Sequence, residues 1–255
     1  MNKLKFGYFI KNVLVLLILV FMFGGQTIAF ARAGGGGSSS SHSSSSHSSS
    51  SHRSSSSNGT SEHPTLIETI IIIVIIIAVI IIAKIVIRNI RLAKMKNKNV
   101  STMESLSKLD SKWNYDNINR DIKDAFYMIQ ISWKERNEDF AREYMSDYMY
   151  CKHKLQIEDM KIRKEKNILE NMTLLDATPI GLQDFAGINK DYIWVQIKAK
   201  SKDYTVNEET NEVIKGKVSR DVHFEEYWKF IRNEKRWILD SIKQVDQITD
   251  LNYFD

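Results

Sequence analysis

Residues 66–87 read LIETIIIIVIIIAVIIIAKIVI, and this stretch decides how the whole chain is organised. It is 22 residues long and rich in isoleucine, with polar residues only at Glu68, Thr69 and Lys84. A helix of that length rises roughly 30 Å, which is the thickness of the hydrocarbon core of a bilayer. A helix in a soluble protein keeps one polar side, because that side meets water. The stretch therefore predicts a transmembrane helix.

A shorter apolar run before it is typical of an export signal. Three lysines among the first eleven residues precede the apolar residues 13–23, and the small residues Ala29, Ala31 and Ala33 follow. A basic start, a short apolar centre and a small-residue cleavage site together define a secretory signal peptide. Residues 1–33 are therefore predicted to be a cleaved signal peptide. An uncleaved signal anchor is the alternative, and in either case the segment that follows is exported.

The exported segment, residues 34–65, is a Gly/Ser/His-rich tract without apolar residues to form a core. Such a composition cannot offset the entropy of ordering, so we predict a disordered extracytoplasmic tether. His42, His47 and His52 repeat every five residues and could chelate a metal or sense pH. They have no acidic or cysteine partners, so no metal site is predicted. A metal- or wall-sensing role for the tract stays a third hypothesis.

The charges that flank the apolar stretch predict its orientation. No acidic residue follows it until Glu104, whereas six basic residues lie in its last turn or after it: Lys84, Arg88, Arg91, Lys94, Lys96 and Lys98. Positive residues near a span stay on the cytoplasmic side, where anionic lipids also attract them. We therefore predict a single-pass protein of the cell membrane with a cytoplasmic C-terminal part. The six basic residues are predicted to contact the anionic inner leaflet.

The cytoplasmic part has a different charge balance from the whole chain. The chain has 36 basic and 31 acidic side chains, and eleven basic residues and two acids precede position 100. That leaves 25 basic against 29 acidic residues in the C-terminal part, so no basic face for nucleic acid is predicted. Cys151 is the only cysteine, which excludes an intrachain disulfide and suits a reducing compartment. We interpret it as a small hydrophobic residue.

Helical periodicity dominates up to residue 166. A first segment places Met103, Leu106, Leu109 and Trp113 on one face. The strongest helix covers residues 116–136 and is predicted to be capped by Asp116 or Asn117. Asn137 is predicted to cap a short second helix. Ser146 is predicted to cap a third, whose apolar residues on one side are Tyr148, Cys151, Leu155 and Ile162.

The period then changes to that of strands. Candidate strands cover residues 167–176, 192–200, 218–230 and 235–242, and a polar loop ends at Gly216. Helices followed by an antiparallel meander predict an α+β fold, with helices packed across one face of a curved sheet. The aromatic residues are expected to form most of the core: Phe126, Trp133, Tyr144, Trp194, Phe224, Trp228, Phe230 and Trp237.

The same region resembles the Tim44-like domain family, named for the membrane-bound scaffold subunit of the mitochondrial inner-membrane import translocase. The resemblance runs over residues 117–244, through LENMTLLDA, YIWVQIKAKSKDY and HFEEYWKFIRNEKRWILDSIKQ. It implies a cone-shaped antiparallel sheet wrapped by N-terminal helices, as in nuclear transport factor two, around an apolar cavity. It also implies peripheral lipid contact and protein scaffolding without established chemistry. The chain departs from the mitochondrial subunit by lacking its long N-terminal region, so a motor-recruiting role is not expected.

These patterns predict six parts of the chain. The signal peptide, the tract and the transmembrane helix end at residues 33, 65 and 87. A basic juxtamembrane linker covers 88–116, the Tim44-like domain 117–246 and a C-terminal tail 247–255.

Glu226 is the residue that raises the question of a ligand site. It shares strand parity with Phe224 and Trp228, so it is predicted to point inward, whereas His223 points outward. A buried carboxylate is costly unless it is paired. It could act as a general base or anchor a ligand, or it could be a structural partner of an Arg, an indole N–H or helix-end amides. The structural interpretation is favoured. The residues predicted to line a cavity are Phe224, Glu226, Trp228, Phe230 and Trp237.

The leading hypothesis is a non-enzymatic, membrane-proximal scaffold that binds lipid or protein partners, in protein transport or membrane-complex assembly. No cofactor and no catalytic residue is predicted. The alternative is a small-molecule enzyme or ligand sensor with Glu226 in its pocket.

Overall fold

The computed structural model describes residues 66–185 and 190–255. Within this range the chain divides into two compact units, with the boundary after Arg88. The predicted signal peptide, residues 1–33, and the Gly/Ser/His tract, residues 34–65, lie outside the described residues. Those assignments stay predictions.

The first helix, α1, covers Leu66–Ser107 and extends well beyond the predicted span. In the first unit, most of its isoleucine and valine side chains are exposed. Among the described residues it is the one helix that is long and apolar enough to cross a bilayer. The predicted apolar helix is therefore present and compatible with a membrane anchor, whereas its orientation stays a prediction.

The segment predicted as a linker, residues 88–116, is largely ordered structure. α1 continues through it to Ser107, because no Gly or Pro interrupts residues 88–107. A short 3₁₀-helix follows at Ser111–Trp113. Met103 and Trp113 are fully buried in the second unit, so that unit begins before the predicted boundary at residue 117. Leu109, predicted to share their apolar face, is exposed, because α1 has already ended.

Two further helices precede the sheet. α2 covers Tyr115–Glu135, a 3₁₀-helix covers Glu138–Tyr144, and α3 covers Asp147–Ile162. The predicted caps Asn137 and Ser146 are confirmed, since their side chains accept hydrogen bonds from the backbone N–H groups of Asp139 and Met149. The predicted cap of α2 is wrong. Asn114, with its extended backbone, caps that helix and accepts from the N–H of Asn117.

α3 presents to the core the side opposite to the one that sequence analysis selected. Its buried residues are Met149, His153, Ile157 and Met160. The apolar residues selected from the sequence are all exposed: Tyr148, Cys151, Leu155 and Ile162. α3 carries apolar side chains on two faces, and periodicity does not decide between them. Cys151 is accordingly not a core residue.

The sheet confirms the α+β fold. Its four strands are β1 (Glu165–Gln183), β2 (Tyr192–Asn207), β3 (Val213–Arg232) and β4 (Trp237–Gln244). They pair antiparallel in the order β1-β2-β3-β4, as predicted. The register of β1 against β2 shifts at three points, and such irregularities bend and twist strands. The cone shape implied by the family resemblance stays a prediction.

The inner face of this sheet holds the main core. Buried side chains of α2, including Ile122, Phe126 and Ile129, join it to those of the strands. Val195 and Ile197 of β2, Phe224, Trp228 and Phe230 of β3, and Trp237 and Leu239 of β4 belong to the same cluster. Apart from Tyr144, which is half-buried, the aromatic residues predicted to form the core are buried.

The outer face is covered by the two ends of the second unit. A separate buried cluster consists of Leu92, Ile180, Trp194, Tyr227, Leu251 and Phe254. Leu251 and Phe254 belong to a 3₁₀-helix at Leu251–Phe254, within the segment predicted as a tail. Residues 247–255 are therefore part of the fold, because their apolar side chains cover strand residues that alternation turns away from the inner core.

Candidate functional site

The inner face of the sheet changes from apolar to polar along β2. Side chains at every second position face inward, and the row from Ile193 to Ala199 is apolar and buried. The same row continues with Ser201, Asp203 and Thr205, which are equally buried. A polar patch therefore lies where the inner core ends.

Asn167 joins this patch to α2. Its side-chain Oδ1 accepts a hydrogen bond from Nε1 of Trp133 at 3.1 Å, and its Nδ2 donates to Oδ1 of Asp203 at 2.9 Å. Asn167 also lies directly opposite Thr205 in the β1–β2 ladder. The amide thus bridges a helix and two strands while remaining 1% exposed.

His153 of α3 extends the patch on the other side of Trp133. The two rings lie 5.3 Å apart, and Nε2 of His153 is 3.0 Å from Oγ of Ser132. Burial lowers the pKa of His153 to about 4, and the negative charge of Glu138 opposes that shift only in part. The imidazole is therefore neutral near pH 7.

Several buried polar atoms of the patch, and of Gln130 on α2, have no hydrogen-bond partner among the described residues. They are both amide atoms of Gln130, Nδ1 of His153 and the hydroxyl oxygens of Ser201 and Thr205. Gln130 precedes Trp133 by three residues, which places both on one side of α2. We name these residues the polar cluster: Gln130, Ser132, His153, Asn167, Ser201, Asp203 and Thr205.

The polar cluster is the candidate ligand site that sequence reasoning missed. Leaving a buried polar group unpaired costs about 1–3 kcal/mol, and native proteins rarely leave such groups without protein or water partners. A hydrogen-bonding occupant would remove that cost. The alternation of Ser201, Asp203 and Thr205 was a signal in the sequence, since it continues the period of the predicted strand past residue 200.

Glu226 points inward, as predicted, and has protein partners. Its Oε2 accepts a hydrogen bond from Nε1 of Trp228 at 2.9 Å, and its Oε1 accepts from Nε2 of Gln244 at 2.9 Å. The carboxylate is fully buried. These contacts give Glu226 the structural role that sequence analysis favoured, with an indole N–H as partner. His223 is exposed, also as predicted.

The five residues predicted to line a cavity are all buried: Phe224, Glu226, Trp228, Phe230 and Trp237. Trp228 packs against Phe126 and Phe230, with ring centroids 5.6 and 6.2 Å apart. Trp237 packs against Trp113 at 5.0 Å. These contacts are those of a packed core, and a ligand role for the five residues stays a prediction.

A surface cleft of about 290 Å³ lies elsewhere, beside the end of α1. Its walls include Leu106, Trp113 and Phe185, and Arg232 lies between Asp110 and Asp191. Burial lowers the pKa of Arg232, but its two carboxylate partners outweigh burial and leave it raised. The backbone N–H of Lys112 and the Arg232 guanidinium lower the pKa of Asp110. Arg232 therefore has protein partners on both sides, and we interpret the group as a structural link between the 3₁₀-helix after α1, the residue before β2, and β3.

The predicted basic cluster is divided between the two units. Lys84 and Arg88 belong to the first unit, and Arg91, Lys94, Lys96 and Lys98 to the second. Arg91 donates a hydrogen bond to Oδ1 of Asn252 at 2.7 Å and lies 3.4 Å from Asp250. Lys98 lies 3.5 Å from Asp255. Two of the six basic residues therefore contact the C-terminal segment.

No group of three or more His, Cys, Asp or Glu side chains suited to a metal occurs within residues 66–185 and 190–255. The three histidines of the tract, His42, His47 and His52, lie outside those ranges.

Comparison with known proteins adds a family match. The sequence model of the Tim44-like domain matches residues 100–244, which is more than half of the chain. No curated protein matches the chain. A solved structure, the intermembrane space region of the chloroplast protein ARC6, is similar over 49% of this chain and 94% of that chain. Its sequence identity is 10% and its TM-score 0.33, a likeness too distant to support an argument.

Proposed function

The chain belongs to the Tim44-like domain family, and from that premise we propose that it is a membrane-anchored scaffold that binds lipid or protein partners. The exposed apolar helix of the first unit carries the proposal. A continuous surface of isoleucine and valine is far larger than soluble monomers expose, and lipid is the solvent that covers it without cost. The membrane association of the family agrees with this anchor. Protein transport or the assembly of a membrane complex is the setting that we propose.

We further propose that the second unit lies in the cytoplasm. The export signal predicted before the tract and the basic residues after the apolar stretch support the same orientation independently. The chain would then cross the cell membrane once, through residues 66–87, with the Gly/Ser/His tract outside.

The anionic inner leaflet is the lipid partner that the charges favour. Lys94 and Lys96 lie in the basic cluster with side chains that are exposed or half-buried. Each basic residue near an anionic surface contributes about 1 kcal/mol, and salt screens this attraction. Arg91 and Lys98 also contact the acidic C-terminal segment, so lipid would compete with Asp250 and Asp255 for them.

The single cysteine makes the orientation testable with the native chain. Cys151 is exposed on α3 and is the only thiol. A membrane-impermeant maleimide added to intact cells should leave Cys151 unlabelled, and permeabilisation should expose it. The matched control carries Cys151→Ser and Ser45→Cys, which moves the thiol into the tract and should label on intact cells. Labelling of Cys151 on intact cells would reverse the proposed orientation.

Lipid contact is tested by reconstituting the full chain in nanodiscs of neutral or partly anionic lipid. Anionic lipid should protect Lys94 and Lys96 from an amine-reactive reagent, and high salt should remove the protection. Lys217, an exposed residue of β3, is the matched control and should react equally in both lipids. Equal reactivity of Lys94 and Lys96 in both lipids would contradict the electrostatic part of the proposal.

The polar cluster favours a second candidate function, a ligand sensor or small-molecule enzyme. Its support is the set of buried polar atoms that have no hydrogen-bond partner within residues 66–185 and 190–255, which a small hydrogen-bonding ligand would satisfy. Native mass spectrometry of the detergent-extracted chain should then detect a retained small molecule. Thr205→Val should lose it, whereas Glu226→Gln should keep it. A chain that retains nothing, or that loses the molecule only with Glu226→Gln, would contradict this assignment.

A further inference from the structure

Three connections between elements meet at the polar end of the inner face. α2 ends at Glu135, the turn from α3 into β1 contains Lys164, and the connection from β2 to β3 follows Asn207. The backbone N–H of Glu208 donates to the carbonyl oxygen of Lys164 at 2.7 Å, which ties the last two connections together. Backbone from two separate turns therefore closes this end of the sheet.

An ion pair joins the end of α2 to these turns. The Arg136 guanidinium donates through Nη1 to Oε2 of Glu208 at 2.9 Å and through Nη2 to Oε1, so the contact is bidentate. Arg136 is the left-handed C-cap of α2, and its backbone N–H bonds to the carbonyl oxygens of Ser132 and Trp133. Its side chain is 17% exposed, against 40% for Glu208. Hydrogen bonding by the guanidinium lowers the pKa of the Glu208 carboxyl, so the pair is charged near pH 7. We name Arg136 and Glu208 the closing pair.

The closing pair lies at the end of the inner face that holds the polar cluster. Trp133 lies three residues before Arg136, and Thr205 lies three residues before Glu208. Asn167, which is opposite Thr205 in the ladder, accepts the hydrogen bond of Trp133. The apolar core occupies the same face farther along the strands. The closing pair therefore separates the polar cluster, and not the apolar core, from the end of the sheet.

The cluster offers uncharged hydrogen-bonding groups to an occupant. Within residues 66–185 and 190–255, no hydrogen-bond partner is present for Nδ1 of His153 or for the hydroxyl oxygens of Ser201 and Thr205. The charged member is Asp203, and Asn167 donates to its carboxylate. Burying an ion costs far more than burying an amide or a hydroxyl, and Asp203 would also repel an anion. The cluster therefore fits an uncharged molecule that carries both donors and acceptors.

We propose that the polar cluster binds a small uncharged molecule with amide or hydroxyl groups, which enters where the closing pair holds the three connections together. Every member of the cluster is buried, so the site is closed in this structure and an entrance must open. Residues 208–212 of the β2–β3 connection are all exposed, which makes this connection the part best placed to move. The inference rests on the second candidate function proposed above, to which it adds the ligand class and the route.

The reaction of His153 with diethyl pyrocarbonate, a small uncharged reagent, measures the opening of the full chain in nanodiscs. A neutral imidazole nitrogen attacks a carbonyl carbon of the reagent, and carbon dioxide and ethanol are released. His153 is neutral near pH 7, so burial is what protects it. Peptide mass spectrometry should show slow reaction at His153 and fast reaction at the exposed His223. Native His153 that reacts as fast as His223 would overturn the proposal, because the site would then be open.

Breaking the closing pair should speed the reaction at His153. Arg136→Gln or Glu208→Gln should raise its rate about three- to tenfold, because a partly buried bidentate pair restrains the connection more than a surface pair does. The rate at His223 should not change. The reversed pair, Arg136→Glu with Glu208→Arg, should restore the slow reaction. Glu209→Gln is the matched control, since Glu209 lies in the same connection but forms only an exposed ion pair. Rates in the two single variants no higher than in Glu209→Gln would overturn the proposed entrance.

Phe254→Ala separates local opening from unfolding of the whole unit. It removes a buried side chain of the outer cluster and leaves the closing pair intact. The rate at His153 should therefore stay well below that of Glu208→Gln. An equal rate would mean that the reagent enters through global unfolding, and it would overturn the entrance.

Acetamide and acetate, which are similar in size, test the ligand class in Glu208→Gln. Excess acetamide should slow the reaction at His153 and not at His223, whereas acetate should slow neither. Protection of His153 by acetate, or by neither compound, would overturn the assigned class. The native mass spectrometry described above tests the site separately. A native chain that retains no molecule contradicts the ligand role, whereas a loaded chain whose His153 rate ignores the closing pair contradicts the entrance alone.

Discussion

The two faces of the four-stranded sheet are covered by different parts of the chain. The inner face packs against α2 and α3, which directly precede the sheet in sequence. The outer face is covered by Leu92 of α1 and by Leu251 and Phe254 near the C-terminus, which are more than 150 residues apart. The inner face is therefore packed by segments close to the strands in sequence. The outer face is covered only when the two ends of the second unit come together.

The largest expected effect lies on the inner face. Trp228→Ala removes a fully buried ring that packs on Phe126 and donates a hydrogen bond to Glu226. Loss of a buried tryptophan costs about 3–5 kcal/mol through burial and cavity terms. Trp194→Ala on the outer face is the matched change and should cost less, because Trp194 retains some exposure and its cover can readjust. Urea unfolding of the detergent-solubilised chain, followed by circular dichroism, measures both. Equal costs would mean that the outer face is as rigidly packed as the inner.

A substitution at Gly181 separates the outer cover from the sheet. A Cβ at Gly181 would lie 2.1 Å from the carbonyl oxygen of Phe254, so the C-terminal 3₁₀-helix must move. Gly181→Ala should therefore expose the outer cluster at a cost of about 2–3 kcal/mol, the value of burying a large apolar side chain. Carboxypeptidase should digest the C-terminus faster in this variant.

Phe254→Ala is the control for that experiment, because it removes the cover without altering a strand. Similar stability losses and similar digestion rates in the two variants would show that Gly181 acts through the C-terminal segment. Normal digestion of Gly181→Ala would contradict the close approach of Phe254.

The difference between the two faces also explains what sequence could predict. The inner face followed from alternation in β2 and β3 and from the apolar period of α2, and Glu226 was placed correctly by parity. The outer cover was missed because Leu251 and Phe254 form one short turn of apolar residues with no period of their own. Trp194 and Tyr227 are large apolar residues at strand positions where alternation predicts polar ones. They were the signal in the sequence that the outer face of the sheet is covered.

The polar cluster was missed for a related reason. Gln130, His153 and Asn167 lie on α2, α3 and β1, and only tertiary packing brings them together with β2. α3 shows the opposite difficulty. The outward face of α3 has larger apolar side chains in sequence than the face that holds His153. Helical periodicity therefore predicted the wrong face of α3 to be buried.

His153 makes the inner layer sensitive to pH. Its pKa is about 4 in the folded chain, against 6.5 for an ordinary histidine, because it is buried. The unfolded chain therefore binds a proton more readily, and stability is lost as pH falls below about 6.5. The expected loss is about 2 kcal/mol between pH 6.5 and pH 5. Unfolding free energies measured across this window should show the slope in the native chain and in His223→Gln, and lose it in His153→Gln. A slope that persists without His153 would place the titration elsewhere.

The smallest expected effect concerns the ion pairs at the edge of the outer cover. Arg91 and Asp250 are both substantially exposed, and exposed pairs contribute about 0.2–1 kcal/mol that salt reduces further. A double-mutant cycle with Arg91→Gln and Asp250→Asn should therefore give a coupling energy below about 1 kcal/mol, while Phe254→Ala costs several times more. Apolar burial would then hold the C-terminal segment against the sheet. Arg91 could release Asp250 and bind an anionic lipid headgroup instead. A coupling energy well above 1 kcal/mol would instead mean that the Arg91–Asp250 ion pair holds the C-terminal segment in place. Lipid would then not readily replace Asp250.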